Sequence, residues 1–117
     1  MPSPIEVPDR DVLLSVAEAA ELLGQPVIRV RQLVSDGELI WVRAEDGGGI
    51  PAAFVQDGDV VKHLPAVITQ LRDARYSDEE ILDWLYREED SLPGAPIRAL
   101  RENRATEVKR RAQVAGF

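Results

Sequence analysis

Between Ser15 and Ser35 two apolar segments of helical period are separated only by Gly24-Gln25-Pro26, a break so short that the second helix must turn back across the first. Ser15 can cap the first helix while Glu18, three residues on, reaches back to the cap amide. Ala17, Ala20 and Leu23 keep helical spacing, with Val16 and Ala19 beside them, so one face is small and apolar enough for close crossing. Gly24 supplies a positive φ at low cost, and Pro26 suits the opening of the next helix. That second helix, 27–36, is expected to bury Val27, Val30, Leu33 and Val34. Ile28, Arg29, Arg31, Gln32 and Ser35 are left facing outward. The layout is that of a helix-turn-helix, a motif that places its second helix in the DNA major groove.

The outward residues carry suitable chemistry for such a role. Arg29 and Arg31 can bridge phosphates or pair bidentately with guanine, and Gln32 can pair with adenine. A charged face is also the default for any amphipathic helix, so the downstream sequence carries weight. After Gly37, a good helix stop, residues 39–43 take on strand character; Ala44-Glu45-Asp46-Gly47-Gly48-Gly49 reads as a turn, and 50–55 as a returning strand interrupted by Pro51. A 39–55 hairpin directly after a recognition helix is a wing. Arg43, at its loop end, is placed to meet the sugar-phosphate backbone. Glu45 and Asp46 would repel phosphate, so the tip is expected to stay clear of DNA.

The C-terminal half supplies helices. Leu64, Val67, Ile68 and Leu71 recur at helical spacing behind Pro65. Ser77 and Glu80 form a second capping box, opening a helix whose Ile81, Leu82, Trp84 and Leu85 can pack inward. Residues 91–96 read as a turn-rich linker. A last helix carries an apolar stripe of Ala105, Val108, Ala112 and Ala115 beneath Arg104, Lys109, Arg110 and Arg111. The cluster Lys109, Arg110 and Arg111 is either a solvated helix face or an auxiliary phosphate contact.

The chain has 117 residues, 44% of them hydrophobic, which suffices for one domain or two small subdomains. Its formal charge of −7 opposes long-range attraction to a polyanion. Local counts moderate that: between Asp73 and Asp90 lie eight acids and two arginines, between Ile28 and Arg43 three arginines and two acids, and from Arg98 to Arg111 six bases and two acids. The negative charge is thus read as concentrated away from the helix-turn-helix. Without cysteine there are no disulfides or thiolate metal sites, and no apolar stretch is long enough to span a bilayer. The start of the chain lacks the basic and apolar regions of a signal peptide, so a cytoplasmic, nucleoid-associated location is expected. His63 is the only histidine, best read as packing or capping before Pro65, and no nucleophile–base set can be assembled. Glu79, Glu80 and Asp83 are better explained as an exposed acidic helix start than as catalytic carboxylates. Neither an enzyme nor a cofactor is expected.

Ser15–Gly24, with Val30, Leu33, Val34, Gly37 and Leu39 after it, resembles the excisionase and MerR-type pattern. More narrowly, five blocks resemble an actinobacterial family of winged helix-turn-helix DNA-binding proteins described as substrates of a membrane Ser/Thr protein kinase. They are Leu22-Leu23-Gly24-Gln25-Pro26-Val27, Ile50-Pro51, Val60-Val61-Lys62-His63-Leu64-Pro65, Glu80-Ile81-Leu82-Asp83-Trp84-Leu85, and Glu107-Val108-Lys109-Arg110-Arg111-Ala112-Gln113. The blocks run in the same order from about Val12 onward. The resemblance implies a mainly α fold with a small β-hairpin wing, a winged helix-turn-helix followed by a helical C-terminal subdomain, and double-stranded DNA as partner. The domains expected are a tail at 1–11, the winged helix at 12–60 and the helical domain at 61–117. A kinase partner is implied by the resemblance alone, and Ser3 is the only hydroxyl residue in the tail. The readings that follow are a DNA-binding regulator or nucleoid factor, or a non-enzymatic protein-interaction module on the same scaffold.

Overall fold

Ser15 sets the start of the first helix. In the computed structural model, which describes residues 7–88 and 94–115, the Ser15 hydroxyl accepts a hydrogen bond from the Glu18 amide at 3.1 Å, and the Glu18 carboxylate accepts one from the Ser15 amide at 3.0 Å. Two donors that a helix start would leave unpaired are satisfied, and α1 (Val16–Leu23) follows. Gly24 ends it in the left-handed region at φ 62°. Pro26 is the N-cap of α2 (Val27–Ser35), one position before the helical opening expected from sequence.

The two helices pack through Ala19, Ala20, Leu23 and Val30, all buried. Two expected core positions are corrected. Ala17 is exposed because, at roughly 100° per residue, it falls about 60° beyond the arc that Ala19, Ala20 and Leu23 occupy. Val27 is exposed for a similar reason, being rotated about 60° from Val30 at the first turn of α2. Leu33 and Val34 are half-buried, so Val30 alone anchors α2 fully.

Residues 39–43 do not form the expected strand. Leu39 and Ile40 are both fully buried, and consecutive buried side chains cannot come from a half-exposed strand of period two. The hairpin reduces to one antiparallel bridge, Val42 to Gly49, closed by hydrogen bonds of 2.8 and 2.9 Å. The Trp41 indole N–H donates to the Gly47 carbonyl at 3.3 Å across the loop. Gly48, at φ 87°, and Gly49 permit the close approach. A Cβ at Gly48 would collide with the Val42 carbonyl oxygen, and one at Gly49 with that of Leu14.

The returning limb is also shorter than expected. Only Ile50–Pro51 is extended, as β2, and it pairs antiparallel with β1 (Leu13–Leu14), so the limb lies between Leu13–Leu14 and Val42. Pro51 therefore sits at the end of a two-residue ladder, where its missing N–H costs little. A 3-10 turn at Ala52–Phe54 buries Phe54. Beyond it, β3 (Val55–Gln56) pairs with β4 (Asp59–Val60) around Asp57 and Gly58, both at positive φ (53° and 80°). Asp-Gly in that geometry is a type I′ hairpin turn.

The chain divides into two compact units, Met1–Val61 and Lys62–Phe117. The second holds four helices: α3 (Leu64–Asp73), α4 (Asp78–Tyr86), α5 (Pro96–Arg101) and α6 (Ala105–Ala115). Leu64, Val67, Ile68 and Leu71 of α3 are buried, and α3 packs on α4 and α6. Ser77 and Glu80 form the second capping box at 3.0 and 3.1 Å. Ile81, Leu82 and Leu85 point inward, while Trp84 is half-buried. His63 occupies the N-cap of α3 but neither packs nor caps: its side chain is exposed and makes no capping bond, and its φ of 69° aims only its backbone. The expected linker ends earlier than read. Its residues 91–93 lie outside the described residues, and Pro96 is already the first residue of α5, whose Ile97, Ala99 and Leu100 are buried against α4 and α6.

Candidate nucleic-acid interface

α2 is built to present one face. With Val30 fully buried, a rotation of about 100° per residue places Ile28, Gln32 and Ser35 opposite the core, with Arg29 and Arg31 on either flank. All five side chains are exposed, Ile28 to 76%. An isoleucine left so open adds little to the core.

One contact on this face was not read from the sequence. Arg29 Nη1 donates to Gln32 Oε1 at 3.3 Å, one turn along the helix. The (i, i+3) spacing is the available signal, since side chains three apart are neighbours on a helix surface.

Arg43 is exposed, one residue beyond the bridged Val42. It lines an open groove of about 480 Å³ together with Asp9 and Asp11, so two carboxylates absent from the sequence reading stand near the cation. At the loop tip the Asp46 carboxylate accepts from the Gly48 amide at 3.3 Å.

Counted over whole units rather than local windows, the charge map changes. Residues 1–61 hold eleven acids and four bases, a net −7, whereas residues 62–117 hold ten of each and are neutral. The winged-helix half therefore carries the whole net charge, contrary to the expectation that it lay elsewhere. The acids at 73–90 are balanced by bases in the same unit. Among the bases from Arg98 to Arg111, Arg104 pairs with Glu102 at 2.6 Å and with Glu107 at 3.5 Å, and Arg98 pairs with Glu102 at 3.1 Å. The hydrogen bonds from Arg104, then Arg98, hold the Glu102 carboxyl below its ordinary range. Lys109, Arg110 and Arg111 lie on α6; Arg110 is exposed and its two neighbours half-buried.

Two crossed helices joined at a left-handed glycine, followed by a short bridged loop whose returning limb pairs with the strand before the first helix, define a winged helix-turn-helix protein. Two family models match it: "DNA-binding protein Rv2175c, wHTH domain" over residues 1–55, and "Rv2175c C-terminal domain of unknown function" over residues 61–116. DNA-binding protein Rv2175c of Mycobacterium tuberculosis is 40% identical over 111 residues, covering 84% of this chain and 76% of that protein. The NMR structure of Rv2175c superposes with a TM-score of 0.82 at 34% identity, covering 98% of this chain and 91% of that one. The chain belongs to the Rv2175c family. No helix among the described residues is long and apolar enough to cross a membrane.

Proposed function

We propose that this chain is a non-enzymatic DNA-binding protein, a transcriptional regulator or nucleoid-associated factor of the cytoplasm, that lays α2 in the major groove of duplex DNA. The observation that carries the reading is the outward face of α2: Ile28, Arg29, Arg31, Gln32 and Ser35 are all exposed on a helix whose opposite side is anchored by Val30. In this reading Arg31 and Arg43 meet phosphates or base edges, and Lys109, Arg110 and Arg111 add backbone contacts. The net −7 of the winged-helix unit opposes attraction to a polyanion, so the reading needs cations beyond the three arginines of the docking face. A kinase partner enters through the family resemblance alone, and no acceptor residue is assigned.

A titration of the full chain against duplex DNA by fluorescence anisotropy, at several salt concentrations, tests the proposal. With about four phosphate contacts, log K falls against log salt with a slope near −3.6, from about −0.9 per contact. A slope near zero, or no binding at low salt, rejects it. The same net −7 favours a second reading in which the winged helix docks a basic protein, and a flat slope with duplex DNA points there.

A further inference from the structure

Leu22, Val27 and Ile28 are exposed to 52%, 40% and 76%. Among the described residues only two other large apolar side chains, Val12 and Val114, are exposed, so apolar exposure gathers where α1 gives way to α2. Gly24 and Pro26 impose that arrangement: the left-handed glycine ends α1, and Pro26 caps a helix that begins at Val27. Val27 and Ile28 are therefore the first two residues of α2, and the N-terminal residues of a recognition helix are those that meet base edges. Ile28 lies about 160° around the helix from the buried Val30, whereas Val27 lies only about 60° away. A β-branched side chain also loses rotamer freedom in a helix, so neither core packing nor helix propensity favours isoleucine at that point.

Major-groove edges are almost wholly polar. Guanine, adenine and cytosine present only donors and acceptors there, and an isoleucine pressed against them would strip water from those groups without replacing its hydrogen bonds. The C5 methyl of thymine is the one apolar group that the four bases offer in that groove. Resting on the reading that α2 enters the major groove, we propose that Ile28 reads a pyrimidine 5-methyl group, which in ordinary DNA is the methyl of thymine. Arg29 and Arg31, exposed on either flank of the outward line, are placed to hold phosphates while the apolar contact selects the base.

The experiment is anisotropy titration of the full chain against two pairs of duplexes that differ only in methyl groups: an A·T duplex with thymine or with uracil, and a G·C duplex with cytosine or with 5-methylcytosine. Wild type binds the thymine duplex about fourfold more tightly than the uracil one, the worth of one methyl group leaving water. Ile28→Ala binds the two alike, and Ile28→Val, which keeps a branched apolar end, retains most of the preference. Both variants melt with wild type, because the side chain is exposed. An equal gain on 5-methylcytosine extends the reading to methylated DNA, and a gain confined to thymine restricts it to the ordinary base. A wild type indifferent to the thymine methyl, or an Ile28→Ala variant that keeps the full preference, overturns the proposal. Arg31→Ala separates the two levels. If it weakens binding to both A·T duplexes while the methyl makes no difference, the groove reading stands and the thymine contact falls; if no duplex is bound at low salt, both fall.

Discussion

The two units are close in length and contain similar numbers of acids, yet they use charge in opposite ways. In the C-terminal unit ten bases match ten acids, and several are paired: Arg72 with Asp78 at 2.8 Å, and Arg98 and Arg104 with Glu102. In the winged-helix unit four arginines face eleven acids, and among the described residues neither Arg31 nor Arg43 pairs with a carboxylate. Surface pairs stabilise little, so the matched unit gains mainly neutrality. The unmatched one keeps Arg31 and Arg43 available. Attraction to DNA must then be local: beyond a Debye length of about 8 Å at physiological salt the excess acid is screened, and within it the nearest arginine decides.

The largest effect that would break this comparison comes from the cores. Phe54→Ala removes a fully buried ring and should destabilise the winged-helix unit by about 3–5 kcal/mol, and Leu71→Ala should cost the C-terminal unit about 2–5 kcal/mol. Urea unfolding followed at Trp41 and Trp84, one tryptophan in each unit, reads both losses. Phe54→Ala should also abolish DNA binding.

Replacing Lys109, Arg110 and Arg111 together with Gln sharpens the electrostatic contrast. If they supply phosphate contacts, the salt slope should flatten by about 2–3 with the preferred sequence unchanged. Stability should move by no more than about 0.5 kcal/mol, because Ala105, Val108 and Ala112 form the buried stripe. An unchanged slope leaves the winged-helix arginines as the sole source of attraction and makes α6 a solvated face.

Arg31→Ala should weaken binding by about 1–3 kcal/mol if the side chain reaches a base. A loss of equal size on every duplex identifies it instead as a phosphate contact. The measurement is the anisotropy titration, with the melting temperature as control for folding.

The smallest effect concerns the two capping boxes, one in each unit. Hydrogen bonds from the backbone, then the hydroxyl, of Ser15 hold the Glu18 carboxyl below its ordinary value, and those of Ser77 do the same for Glu80. A carboxyl with a depressed folded pKa stabilises above its unfolded value, about 4.3 for Glu, and loses that contribution as pH falls through the folded one. Ser15→Ala and Ser77→Ala should each cost about 1 kcal/mol at neutral pH. Melting curves at pH 7 and pH 3.5 should lie closer together for a Glu18→Gln/Glu80→Gln double variant, which removes the titrating groups, than for wild type. An identical separation would show that neither box titrates with unfolding.

Much of this molecule was decided by spacing. Ser15 and Glu18, Gly24, and Ser77 and Glu80 act within four residues of each other, and short-range chemistry of that kind reads directly from sequence. The same holds for features that sequence reading passed over. Asp57-Gly58 is a strong hairpin signal, and Pro96 with Asn103, at φ 62° where α5 ends, brackets a helix as plainly as any cap. The outward identity of Ile28, Arg29, Arg31, Gln32 and Ser35 also followed from helical period, once Val30 was placed inside.

Tertiary structure alone decided the wing. A strand is defined by its partner, and no local pattern could show that Ile50–Pro51 would pair with Leu13–Leu14 some thirty-five residues away, or that Leu39 and Ile40 would both turn inward.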